Sequence, residues 1–260
     1  MSDGPVRVER DGPLAVVTHA APPVNLWDQA TMDGYAAALD ALEADPPRAV
    51  LLRSEGRVVS GGVDVKLFEA TADGAAGAEL WRTLLELPSR LEALPCPTVF
   101  AAHALCLTAS FEISLACDLL LAAESAKFGL VEWVVGLTPA MGGTQRLVER
   151  AGPARAREFV YTGELFEART LEAWNVVNRV LPDEGFDAAA RAFAMDLATG
   201  PTVAHAATKR IVRAALEGGV READSVTPEV AGALFDTDDL RAAVASFLAD
   251  GPGKARFQGK

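Results

Sequence analysis

The stretch HALCLTASFEISLACDLLLAAESAKFGLVEW, residues 103–133, carries the reading of this chain. It is almost wholly apolar or small, yet Glu112 and Glu132 stand inside runs that otherwise read as buried core. A buried carboxylate without a partner costs several kcal/mol, so two of them in one stretch ask for a chemical reason. The stretch also changes character as it runs. A helical pattern begins near Thr108, DLLLAA reads as a short strand, and AKFGLVEW leads into an apolar loop holding Glu132.

The same alternation extends in both directions. VRVERDGPLAVVTHAAPP predicts two short strands around the turn Asp11-Gly12-Pro13. DQATMDGYAAALDALEAD predicts an amphipathic helix capped by Asp28 and ended by Pro46-Pro47. RAVLLRS and PTVFAAH read as strands, and a helix is expected over roughly 78–94, stopped before Pro95 and Pro97. Strands alternating with helices predict an α/β layered architecture with at least partly parallel pairing. From about residue 186 onward the patterns are helical with no strand between them. A boundary near Gly200-Pro201 therefore separates an α/β core, residues 1–200, from a helical region, residues 201–260, whose apolar faces cover either the core or another subunit.

Bulk properties narrow the class of function. The chain has 260 residues, half of them hydrophobic, enough for one large domain with an appendage. A net charge of −12 disfavours a nucleic-acid or anionic-membrane partner. Cys96, Cys106 and Cys117 lie in apolar runs without metal-ligand spacing and read as reduced core thiols of a cytoplasmic protein. The first residues show no targeting pattern, and no apolar run approaches bilayer-spanning length.

Familiar catalytic signatures are missing: no phosphate loop, no dinucleotide fingerprint after a strand, no G-x-S-x-G elbow. His19, His103 and His205 are far apart and lack metal spacing, and a Ser110–His103 relay is a weak alternative. Four features remain. SEGRVVSGGVD, residues 54–64, is a glycine-rich turn able to expose the Val63 N–H to a ligand. LTASFEISLACD begins a helix whose first N–H groups, near Ala109, lack intrahelical partners. Glu112 falls in that helix's early turns. AKFGLVEWVVGLTPAMGGTQRL presents Glu132 and then a Pro/Gly turn into another helix.

Together these segments resemble the crotonase (enoyl-CoA hydratase/isomerase) superfamily. SGGVDVK resembles the family's first oxyanion segment, and FEISLACDLLLAAESAKFGLVEWVVGLTPAMGGTQRL resembles its most diagnostic block. TGELFEARTLEAWNVVNRVLP and FDTDDLRAAVASFLADGPGKARF are similar to the later segments, so the likeness runs from about residue 13 to the end. The resemblance implies a spiral of ββα units with C-terminal helices, and a homotrimer or homohexamer. It implies that the Val63 and Ala109 N–H groups hold a thioester oxygen. Glu132 would handle the proton at the α-carbon and Glu112 would help activate water. Gly62, Asp64, Lys66, Trp133 and Lys254 fall at positions for substrate or coenzyme A contact, with Lys260 an alternative to Lys254. No metal and no cofactor besides the coenzyme A of an acyl-CoA substrate is implied.

Where the family usually has a glycine run, this chain has Leu107-Thr108-Ala109-Ser110. The added side chains would narrow the acyl pocket or tilt the Ala109 N–H. Glu112, close to a helix start, is expected to ionise more readily than Glu132, which sits beside Trp133 and several valines. The reading is a hydratase of 2-enoyl-CoA thioesters; a double-bond isomerase and a non-catalytic acyl-CoA-binding protein are the alternatives.

Overall fold

The computed structural model describes residues 4–260. The chain opens on strands β1 (Val6–Asp11) and β2 (Leu14–His19), an antiparallel pair turning at Gly12, as the Asp-Gly-Pro signal predicts. A short strand β3 (Leu26–Trp27) follows, then helix α1 (Gln29–Ala44). Asp28 caps α1 by accepting the Thr31 N–H at 2.8 Å, and the helix stops before Pro46. The sequence repeats this plan. Strand β4 (Ala49–Ser54) leads to short strand β5 (Gly62–Val63) and helices α2 (Lys66–Glu69) and α3 (Gly74–Ala93). Strand β6 (Thr98–Ala102) leads to β7 (Cys106–Leu107) and α4 (Ala109–Leu115). Strand β8 (Leu119–Ala123) leads to β9 (Lys127–Gly129), a 3₁₀ turn (Glu132–Val135) and α5 (Gly143–Thr162).

Four turns of one ββα plan thus wind along the chain. Their long strands form one sheet with β11 (Arg179–Leu181), which follows β10 (Phe166–Glu167) and α6 (Ala168–Ala173). The order is β1-β2-β4-β6-β8-β11, parallel throughout except for β1 against β2. β2, β6 and most of β4 and β8 are buried, as befits parallel strands covered on both faces. The short second strands pair among themselves: β3 with β5, and β10-β9-β7. This second layer carries the residues of interest.

α3 starts at Gly74 rather than near 78, because Asp73 accepts the N–H groups of Ala75 and Ala76 and nucleates the first turn. Helix α7 (Phe186–Thr199) lays Phe186, Ala190, Ala194 and Ala198 on the main sheet. Beyond it, α8 (Thr202–Gly232), broken at Gly219, and α9 (Asp238–Asp250) bury few side chains. Arg48 ties this region back, donating to the Gly200 and Phe257 carbonyls and to the Thr202 hydroxyl. The three cysteines are buried and unpaired. Among the described residues, no helix is long and apolar enough to cross a membrane.

Candidate active site

The segment holding Val63 and the segment holding Ala109 are brought side by side by backbone pairing. Ser60 bridges Cys106 in parallel, and the Leu107 N–H donates to the Ser60 carbonyl at 3.2 Å. Val63 pairs with Trp27, whose carbonyl accepts the Asp64 N–H at 3.0 Å. In a parallel ladder this leaves Val63's own N–H turned away from β3. Ala109 is the first residue of α4, so its N–H has no intrahelical acceptor. Gly62 holds φ +111°, and a Cβ there would stand 3.2 Å from the Thr108 hydroxyl oxygen, so glycine suits both backbone and space.

Glu112 lies on α4, every residue of which is buried, and is itself only 2% exposed. Its Oε2 accepts the Gly143 N–H at 2.8 Å. The Gly142-Gly143 turn that offers this N–H is held by Arg146, which donates to the Gly142 carbonyl and pairs with Glu92 of α3 at 2.6 and 2.5 Å. A Cβ on Gly143 would come within 2.6 Å of the Glu112 side chain, so the close approach requires glycine. Glu132 begins the 3₁₀ turn, and its Oε2 is buried without a protein partner among the described residues.

Burial is the leading cause that raises both carboxyl groups, Glu112 to about 8 and Glu132 to about 7. The charge of Glu132 adds to the rise at Glu112, which places the two carboxylates within electrostatic reach. Hydrogen bonds from Gly143 and Met141 and the nearby Arg146 offset part of it. The expectation that Glu112 ionises readily near a helix start is therefore corrected: its carboxyl group is raised, as that of Glu132 is. Withdrawal from water outweighs what the first turn of a short helix supplies.

The other sequence candidates sit as follows. The Asp64 carboxylate accepts the Lys66 N–H at 3.0 Å and so shapes the start of α2. Lys66 and Lys254 are exposed. Trp133 is 56% exposed, not core, with its indole against Gly163 at the end of α5. Ser110 and His103 form no relay: the Ser110 hydroxyl accepts from Trp27 Nε1 at 2.6 Å, and His103 Nε2 lies 2.9 Å from the Gly56 carbonyl. His19 is buried against the rings of Trp27 and Tyr35.

Three features escaped the sequence reading. Arg146 and Glu92, 54 positions apart, meet only in the fold. A cleft of about 430 Å³ opens between α2 and α3, lined by Phe68, Thr71, Gly77, Trp81 and Leu137. Its signal was the small-residue run ADGAAGA ahead of Trp81, which leaves room beside the rings. Thr108 adopts φ +48° and ψ −121°, a backbone shape that nothing in its residue type predicts.

Residues 9–259 match the family model described as enoyl-CoA hydratase/isomerase. The chain belongs to the enoyl-CoA hydratase/isomerase family. It is 29% identical over 246 residues to "Probable enoyl-CoA hydratase echA8" of Mycobacterium tuberculosis, covering 94% of each chain. To "Probable enoyl-CoA hydratase EchA17" of the same species it is 34% identical over 215 residues, 80% of this chain and 78% of the relative. A solved enoyl-CoA hydratase subunit from Geobacillus kaustophilus superposes with a TM-score of 0.90 at 29% identity, over 98% of both chains. Pseudomonas aeruginosa DspI gives 0.88 at 27% identity, over 98% of this chain and 97% of the other. The architecture is the crotonase fold that the resemblance implied.

Proposed function

We propose that this protein is an enoyl-CoA hydratase, adding water reversibly across the double bond of a 2-enoyl-CoA thioester. The observation that carries this reading is a pair of raised carboxyl groups, Glu112 buried on the helix that Ala109 opens and Glu132 with one oxygen buried and unpartnered among the described residues. As water adds, the thioester oxygen gains charge in an enolate-like transition state. The N–H groups of Val63 and Ala109 would hold that oxygen; losing one such donor typically costs about 3–4 kcal/mol.

A pair with one proton between them is what reversible hydration needs. In the dehydrating direction, ionised Glu132 takes the proton at the α-carbon while protonated Glu112 gives its proton to the departing hydroxyl. Hydration starts from the opposite arrangement. Both groups are raised from the ordinary carboxylate range, so one proton shared between them suits either direction of reaction. The apolar cleft beside Phe68 and Trp81 suits the acyl chain, since Phe68 lies five residues past Val63 and Leu137 five past Glu132. The exposed cations Lys66 and Lys254 are available to the anionic end of coenzyme A. Assembly as a homotrimer or homohexamer is supported by apolar side chains left exposed on the C-terminal helices, among them Val212, Leu216, Phe247 and Leu248.

The test is a panel of 2-enoyl-CoA thioesters of increasing chain length, followed by loss of the conjugated enoyl absorbance. Hydration of at least one member is expected. Conversion of 3-enoyl thioesters with no hydration of any 2-enoyl member would replace the reading with an isomerase. Tight acyl-CoA binding without either reaction would leave a binding protein.

A further inference from the structure

The hydroxyl-bearing residues 108 and 110 flank Ala109, and the structure treats them differently. Ser110 is fully accounted for: its hydroxyl accepts from Trp27 Nε1 at 2.6 Å inside the core. Thr108 is only 6% exposed, yet its hydroxyl finds no partner among the described residues. A buried polar group left without a partner is rare enough to call for an explanation. Its location supplies one. The Thr108 hydroxyl faces Gly62, whose Cβ, were there one, would lie 3.2 Å from it. The carbonyl carbon of Gly62 bears the Val63 N–H, and that of Thr108 itself bears the Ala109 N–H. The hydroxyl thus belongs to the residue before one donor and lies beside Gly62, the residue before the other. It is held there by a backbone conformation, φ +48° and ψ −121°, that a β-branched residue rarely adopts.

We propose that the Thr108 hydroxyl is a third donor to the thioester oxygen, acting beside the Val63 and Ala109 N–H groups. The inference rests on the thioester reading above and adds a catalytic side chain to it. A hydroxyl can rotate to follow an oxygen as its charge grows, whereas peptide N–H groups are fixed. The residue's conformation and its unpartnered burial have a common cause on this account: the side chain is kept where no protein atom among the described residues satisfies it.

The test compares Thr108→Val, which keeps shape and removes the hydroxyl, with Thr108→Ser, which keeps the hydroxyl. Thr108→Gly, which relaxes the backbone, serves as a second hydroxyl-free variant should the valine form not fold. Two readouts are taken: kcat and KM for 2-butenoyl-CoA, and the infrared C=O stretch of bound butanoyl-CoA carrying ¹³C at the thioester carbonyl. The valine and glycine forms should lose roughly 10- to 100-fold in kcat with little change in KM. They should also lower the C=O frequency less than the parent does, while the serine form tracks the parent. A valine form matching the parent in both readouts overturns the inference and leaves the thioester reading intact. So does a glycine form faster than the parent, which would make the side chain an obstruction. A parent that binds no acyl-CoA overturns the thioester reading itself, and the inference with it.

Discussion

The two glutamates occupy unlike ground. Around Glu112 everything is fixed: α4 is buried end to end, Gly143 donates to the carboxyl group, and Arg146 clamps the turn that offers that N–H. Around Glu132 little is. Its short 3₁₀ turn leaves Trp133, Val134 and Val135 at 56%, 69% and 52% exposure, and one carboxyl oxygen has no protein partner among the described residues. The contrast is one of packing: one carboxyl group is enclosed and hydrogen-bonded, and the other opens a turn whose next three side chains are exposed.

The largest predicted effect breaks the fixed side. Gly143→Ala drives a methyl group into Glu112, and a misplacement of about 1 Å at a reacting group costs on the order of 100-fold in rate. Steady-state hydration kinetics check it; retention of parent activity would mean that Glu112 need not be held so closely. The same change at Gly136, whose Cβ would meet open space, should leave activity within a few-fold, despite its positive φ.

Next in size is the pH-dependent cost of burying the two carboxyl groups. Both are raised above the ordinary value of 4.5. At pH below that value folded and unfolded states are both protonated and there is no penalty. As pH rises, the unfolded chain ionises while the folded one resists, so stability falls until the folded groups also ionise, near 8 for Glu112 and near 7 for Glu132. Glu112→Gln should therefore be clearly more stable than the parent at pH 8 and by much less at pH 5. Glu132→Gln should shift in the same direction. Denaturant unfolding at the two pH values measures both, and a variant no more stable than the parent at pH 8 would show that its carboxyl group is not raised in the folded state.

The smallest effect concerns the support of the fixed side. His19 stacks edge-on against Trp27, whose indole N–H donates to Ser110 in α4. Burial pulls His19 down from 6.5 to about 4, against a smaller opposing pull from Asp28. The unfolded chain takes up this proton first, so stability from His19 is whole above pH 6.5 and drains away as pH falls towards 4. Between pH 6.5 and 5 the loss should be about 1–2 kcal/mol, and should vanish in His19→Leu. An unchanged slope in that variant would place the acid sensitivity elsewhere.

Much of this architecture is legible in the chain. The Asp28 cap, the Asp-Gly-Pro turn and the strand runs are local signals, and local physics decided them. The adjacency of the Val63 and Ala109 segments came from motif likeness, since only long-range pairing through Ser60 and Cys106 creates it. The rise of the Glu112 carboxyl group is not legible in the chain, because a helix start is visible in sequence while the depth of burial is not. The Arg146–Glu92 clamp was out of reach for the same reason: two charges 54 residues apart carry no local sign that they will meet. Thr108 read as a lost glycine; only its backbone angles and its solitary hydroxyl reveal a residue held in a glycine's conformation.

On the proposed function, Glu112 and Glu132 act as one acid–base unit on a thioester. The most direct measurement is a double-mutant cycle: kcat for 2-enoyl-CoA hydration in the parent, Glu112→Gln, Glu132→Gln and the double variant. Each single change should cost about 10²- to 10⁴-fold, and the double change hardly more than the worse single one, because a unit missing either half is already disabled. Single variants that stay within a few-fold of the parent, or losses that simply multiply, would contradict it.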